Sequence, residues 1–265
     1  MGNVKHDSDE SGVHRLTLTR SEVHNAFDDA VISELTEHLS ECACEEPRVL
    51  ILQAEGKSFS AGADLNWMKR SASYSKEQNH ADAFALAQML NLLDSFPCPT
   101  IAAVQGAALG GGVGLVSCCD IGIASSAAQF GLTEVRLGLI PATISPFVIN
   151  AIGARPARRY FATGERFDAP TALRIGLVHQ VVEPDALVTT VDALIDQLLQ
   201  CSPQAQRSAK DLINWVSPRV SSSEGIDNPL LDDVATAIAQ ARASEQGREG
   251  ISAFLEKRKP GWIPS

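Results

Sequence analysis

Basic residues are scarce in this chain: 22 Lys and Arg stand against 32 Asp and Glu, leaving a formal charge of −10 at pH 7. Nucleic-acid phosphates demand a basic face, so no nucleic-acid partner is expected, and an anionic substrate would need a local cluster of Lys and Arg. Metal-ligand spacing is missing too. The cysteines (Cys42, Cys44, Cys98, Cys118, Cys119 and Cys201) contain no CxxC, and the histidines (His6, His14, His24, His38, His80 and His179) form no HxxxH or HxH pair. No metal site is therefore predicted, and the thiols read as free groups in a reducing cytosol. Nucleotide fingerprints fail on single residues. A GxGxxG begun at Gly110 ends on Leu115, and a P-loop begun at Gly106 meets Gly112 where its lysine must stand. A GxSxG nucleophile elbow is absent. The charge-free span Ser95 to Cys119 is long enough to cross a bilayer, but Pro97, Pro99, Gln105 and its glycines suit a buried strand, turn and helix better. Met1 to Gly12 is polar and acidic with no apolar stretch, so neither signal peptide nor membrane contact is predicted, and a cytoplasmic location is expected.

What is present is enough for a full core: 265 residues, 45% hydrophobic. Val13 to Thr19 alternates like a half-buried strand, and Arg48 to Gln53 is a short apolar run typical of a strand covered on both faces. Val31, Ile32, Leu35 and Leu39 form a helical stripe, and Ser75 to Asp94 reads as a second helix. Thr100 to Gln105, Asp120 to Ala124, Gln129 to Arg136 and Leu177 to Val182 read as further strands. Strands alternating with helices predict an α/β fold with mainly parallel pairing. After Ser202-Pro203 the character changes to three amphipathic helices, 203–217, 229–243 and 245–258, without a strand between them. The expected organisation is a catalytic core over residues 1–200 and a helical assembly region over 201–265.

Two turns carry the chemistry. Gly106-Ala-Ala-Leu-Gly-Gly-Gly-Val-Gly114 joins a strand to a buried helix, and such a junction leaves backbone N–H groups free at the helix start. Those groups suit an anion, although the glycines equally allow close helix–sheet packing. Ser60-Ala-Gly-Ala-Asp64 is a second turn of small residues, with Asp64 placed to cap the helix that begins at Leu65. One N–H from each turn could converge on a carbonyl oxygen. A thioester held so becomes acidic at its α-carbon, each donor stabilising the transition state by about 3 kcal/mol. Glu134 is the only ionisable side chain from Ile121 to Val135, and its apolar surroundings should raise its pKa. It reads either as the acid–base group of such a site or as the partner of Arg136 in an ion pair.

Taken together, Asn25-Ala-Phe27, Phe59-Ser-Ala-Gly-Ala-Asp64, Pro99 to Gly106, Ala108 to Gly112, Cys119-Asp-Ile121 and Gly138 to Pro141 resemble the enoyl-CoA hydratase/isomerase (crotonase) family over nearly the whole chain. The resemblance implies a spiral of ββα units with a C-terminal helical trimerisation region, assembled as a homotrimer or as a hexamer built from two trimers. It implies an acyl-CoA substrate, with coenzyme A entering as part of that substrate and no separate cofactor. The oxyanion hole maps to the backbone N–H groups of Ala61 and Gly111. The segment Ala61, Gly62, Ala63, Asp64 and Leu65 would border the CoA adenine, and Lys257 would meet a CoA phosphate. Family hydratases usually bring two glutamates to the substrate. The second matches Glu134, whereas the first falls on Gly114, which has no side chain. Single-glutamate members include 3-to-2 enoyl-CoA isomerases, and an acyl-CoA thioester hydrolase is a further alternative. The stretches Gly112 to Asp120, Glu134 to Phe147 and Ala157 to Tyr160 resemble bacterial methylglutaconyl-CoA hydratases of leucine breakdown. In that reading Glu134 handles both protons of a reversible hydration.

Overall fold

The computed structural model describes residues 2–220 and 226–263. Its strands are β1 (Val4–Ser8), β2 (Val13–Leu18), β3 (Val49–Ala54), β4 (Ser58–Ser60), β5 (Thr100–Val104), β6 (Ala107–Leu109), β7 (Ile121–Ser125), β8 (Gln129–Gly131), β9 (Arg166–Asp168) and β10 (Gln180–Val182). They form a six-stranded sheet, β1-β2-β3-β5-β7-β10, and a four-stranded sheet, β4-β6-β8-β9. All pairs are parallel except the β1/β2 hairpin and β8/β9. The chain lays one strand in the larger sheet and the next in the smaller one, as in β3/β4, β5/β6 and β7/β8. That alternation is the winding of a crotonase-like spiral. Its strands share no spacing of residue types, so the winding is invisible to periodicity.

The helices of the first compact unit, Met1–Leu194, are α1 (Asp29–Cys44), α2 (Leu65–Ser71), α3 (Lys76–Asp94), α4 (Gly111–Cys118), α5 (Ser145–Ile152), α6 (Ala154–Thr163), α7 (Ala169–Ile175) and the start of α8 (Leu187–Leu199). Local chemistry sets their starts. Asp28 accepts from the Val31 N–H at 3.1 Å, and Ser75 with Gln78 closes a capping box on α3. The predicted stripe of α1 (Val31, Ile32, Leu35 and Leu39) is buried, joined by Cys42. Those residues share one core with Leu50 and Leu52 of β3 and with Met89 and Leu90 of α3.

The strand expected over Gln129 to Arg136 stops at Gly131. Its ladder partners are exhausted there, and residues Glu134–Leu137 wind into a 3₁₀ turn closed by Gly138 at φ 75°. The strand expected from Leu177 likewise shortens to β10.

The second compact unit, Ile195–Ser265, holds the rest of α8 with α9 (Pro203–Val220), α10 (Asn228–Ala243) and α11 (Glu245–Glu256). Asp227 and Ser244 cap α10 and α11. The division falls inside α8, a few residues before the expected change at 201. Among the described residues no helix is long and apolar enough to cross a membrane.

Candidate active site

The turn after β4 is held by a tight pair of left-handed residues, His24 at φ 56° and Asn25 at φ 52°. Asn25 Nδ2 donates to the carbonyls of Glu55 and Ser58, both at 2.8 Å, and Ser60 Oγ donates to the Asn25 carbonyl at 2.9 Å. Segment 60–64 therefore lies alongside segment 24–27, and its amides can be accounted for one by one. The Ala61 N–H donates to the His24 carbonyl at 2.9 Å, the Gly62 N–H to Ser60 Oγ at 3.3 Å, and the Asp64 N–H to the Phe27 carbonyl at 3.0 Å. Ala63 is left over. It bridges Phe27 in parallel register, where its N–H points away from the partner, and among the described residues nothing accepts from it. The expected oxyanion donor Ala61 is thus already engaged. The available N–H of this turn belongs to Ala63, two residues on, which is exposed at the surface of the turn.

The glycine turn shows a matching gap. The Gly110 N–H donates to the Gly131 carbonyl at 2.8 Å, and the Val113 and Gly114 N–H groups return to the Gly110 carbonyl at 2.9 and 3.3 Å. The Gly111 N–H, at the start of α4, has no acceptor among the described residues. Gly110 is required at φ 51°, and a Cβ on Gly111 would collide with the Phe27 ring. Phe27 is also the residue that Ala63 bridges through the backbone, so both turns are packed on Phe27. The turns are in contact as well: a Cβ on Gly62 would stand 2.9 Å from the Leu109 carbonyl oxygen, and one on Gly112 2.7 Å from that of Ser60. Tight packing and free amides coexist here, so the two readings of the glycines are not rivals.

Glu134 reaches this turn from the 3₁₀ segment. Its Oε1 lies 3.1 Å from where a Cβ on Gly110 would stand, next to Gly111. Oε2 is buried and accepts no hydrogen bond among the described residues. Burial raises the pKa of the carboxyl, against a smaller opposing effect of its own backbone. No ion pair to Arg136 appears among the described residues. A carboxyl with an idle, desolvated oxygen beside free amides is poorly explained as a structural group.

Other predicted residues have different places. Asp64 is buried, its Oδ1 accepting from the Asn66 and Trp67 N–H groups at 2.7 and 3.2 Å and its Oδ2 paired with Arg20 at 3.1 Å. Its carboxylate is spent on capping α2, whereas Leu65 is 74% exposed. Gly114 is buried and its side is occupied: a Cβ there would stand 2.5 Å from Ile144 Cγ2, itself a buried residue. The position that lacks its glutamate is plugged by Ile144, which nothing in the local sequence signalled. Lys257 belongs to the second unit, where it ends α11 in a left-handed conformation at φ 56°. Asp120 accepts from the Thr100 N–H and hydroxyl at 2.8 and 2.9 Å, a clamp between β5 and the start of β7.

A model of the enoyl-CoA hydratase/isomerase family matches residues 8–264. The chain belongs to the enoyl-CoA hydratase/isomerase family. Among solved structures, an enoyl-CoA hydratase from Shewanella pealeana is 46% identical, with a TM-score of 0.92 over 98% of this chain and 96% of that one. Among curated relatives, the short-chain-enoyl-CoA hydratase of Clostridium acetobutylicum is 33% identical over 94% of each chain. The enoyl-CoA isomerase/hydratase fer4 of Mycosarcoma maydis is 32% identical over 94% of this chain and 92% of its own. The protein is accordingly a crotonase-fold enzyme of this family, and its sheets and C-terminal helices are those of the fold.

The expectation of no metal-ligand set rested on local spacing. The tertiary structure brings residues of metal-ligating type together: ligand atoms of His6, His14 and Cys42 lie within 4.8 Å of one another.

Proposed function

We propose that this family member catalyses the reversible hydration of a branched, methylglutaconyl-like 2-enoyl-CoA. The observation that carries the reading is the lone, desolvated Glu134 carboxyl beside the free Gly111 amide. The thioester oxygen accepts from the N–H groups of Gly111 and Ala63, which draws electron density from the conjugated double bond toward that oxygen. Glu134 takes a proton from water as its oxygen bonds to the β-carbon. The enolate then collects that proton from Glu134 at the α-carbon, so one carboxyl serves both transfers on one face of the substrate. A raised pKa suits this duty, because the group must give the proton back. The CoA handle lies along the Ala63–Leu65 edge, and coenzyme A is carried in on the substrate. The second unit exposes Ile213, Ile251, Phe254 and Leu255, which supports assembly into a trimer or a hexamer.

The plug at Gly114 favours a second reading. With no second carboxylate, Glu134 alone could move a proton between the α- and γ-carbons, as 3-to-2 isomerisation requires. Incubation with crotonyl-CoA, 3-methylglutaconyl-CoA and 3-hexenoyl-CoA separates the two. The hydratase reading expects loss of conjugated-enoyl absorbance with the first two, fastest with 3-methylglutaconyl-CoA, and no gain with the third. A gain with 3-hexenoyl-CoA alone assigns isomerisation, and release of free thiol instead assigns thioester hydrolysis.

A further inference from the structure

The β1/β2 hairpin and the last turn of α1 bury a cluster that the hydratase chemistry does not use. Strand alternation puts Val4, His6 and Ser8 on the same face of the hairpin as His14, Leu16 and Leu18, through the register Ser8↔His14 and His6↔Leu16. Cys42 comes down on that face from α1. Cys42 is 0% and His14 3% exposed, while His6 is half-buried. His6 Nε2 lies 3.0 Å from His14 Nδ1 and 3.3 Å from Cys42 Sγ.

Protons alone serve this arrangement badly. The His6 Nε2 atom carries either one hydrogen or one lone pair. As a donor to His14 Nδ1 it cannot accept from the Cys42 thiol; as an acceptor it can take only one of the two. A cation that receives a lone pair from each of the three atoms satisfies all of them together. We propose that His6, His14 and Cys42 form a site for a thiophilic divalent cation, Zn²⁺ in the first instance. Tetrahedral zinc with ordinary bond lengths separates two imidazole nitrogens by about 3.3 Å and a nitrogen from a thiolate sulfur by about 3.6 Å. The two spacings through His6 Nε2 are a few tenths of an ångström shorter and all three atoms lie within 4.8 Å of one another, so an ion enters by adjustment of these side chains rather than by refolding. Glu45, whose Oε2 is 3.8 Å from His14 Nδ1, offers a fourth ligand from the exposed side. On binding, the Cys42 S–H bond breaks, its proton leaves to solvent, and the sulfur forms the metal bond with no change in oxidation state. The bound ion ties the N-terminal hairpin to α1.

The test uses the full chain carrying Cys44→Ser and Cys201→Ser, because both thiols are exposed and would bind metal adventitiously. After chelation and dialysis, Co²⁺ is titrated as the spectroscopic probe. The expected result is a thiolate-to-cobalt charge-transfer band in the near ultraviolet that saturates at one equivalent and is abolished by Zn²⁺, with a raised Tm for the zinc form. Cys42→Ser should remove the band, and His6→Gln should weaken binding by about tenfold or more. His6 is half-buried, so His6→Gln decides the matter if Cys42→Ser does not fold, as judged by circular dichroism. Absence of saturable binding overturns the proposal. So does a band that persists unchanged in the folded variants.

Discussion

Replacing Glu134 by glutamine should separate function from stability in opposite directions. The side chain keeps its size and loses its charge and its proton. A positioned acid–base group contributes about 10²–10⁴-fold, equivalent to about 3–5 kcal/mol of barrier. Glu134 is assigned both proton transfers, and Gly114 supplies no substitute, so the loss should lie near the upper end of that range. Affinity for the CoA portion should stay, because Ala63, Gly111 and Leu65 are untouched.

Stability should not suffer. Glu134 Oε2 is buried without a donor, so the cost of burying the charge outweighs the smaller support from its own backbone. Because burial raises its pKa, the folded protein holds the proton more tightly than the unfolded chain does. Stability is then fully present below the unfolded carboxyl's pKa, and falls as pH rises from there through the folded value. Each unit of elevation costs about 1.4 kcal/mol at neutral pH, reduced by the solvent that still reaches a half-buried group. Glu134→Gln escapes that loss, so its stability relative to the parent should climb with pH and then level off. Urea unfolding from acid to neutral pH, alongside hydration kinetics, measures both arms. Activity within a factor of about three of the parent would refute the acid–base role. A variant less stable at neutral pH would show instead that the carboxylate has a stabilising partner.

Gly114→Ala places a methyl 2.5 Å from Ile144 Cγ2, an overpacking worth about 1–3 kcal/mol, partly offset by about 1 kcal/mol of helix propensity. In an Ile144→Ala background the nearest contact relaxes to the residue 144 Cβ at 3.1 Å, so denaturant unfolding of the four-member cycle should show a coupling of about 0.5–3 kcal/mol; additivity would mean that Ile144 does not seal the position. Asp64→Ala should cost about 0.5–2 kcal/mol by uncapping α2. Burial pushes the Asp64 pKa up, but the Trp67 and Asn66 N–H groups and Arg20 outweigh it and leave it lowered. That stability is present at neutral pH and disappears as pH falls through the folded pKa, so the penalty should shrink in acid, and an unchanged penalty there would discount the cap.

Glycine placement and charge sparsity made much of the site legible along the chain. Gly110 and Gly111 break an apolar run between a strand and a helix, and Glu134 stands alone in a long uncharged stretch. Element positions followed from periodicity where one face meets the core, as in α1, α3 and β3. Periodicity failed where backbone pairing ended early: Gln129 to Arg136 alternates, yet β8 closes at Gly131 because no further strand lies beside it.

The choice between Ala61 and Ala63 lay beyond any such pattern. Both are alanines in one turn, and only the path of His24 to Phe27 determines which N–H is consumed. The same is true of Gly114, whose missing side chain was readable while Ile144 filling its place was not. His6, His14 and Cys42 show the principle most directly, for no spacing rule joins two strands of a hairpin to the end of a helix. Local sequence determines which backbone conformations and charges each segment can carry. Which hydrogen bonds are left over, and which distant side chains share a space, depends on how the segments pack, and the chemistry resides in those remainders.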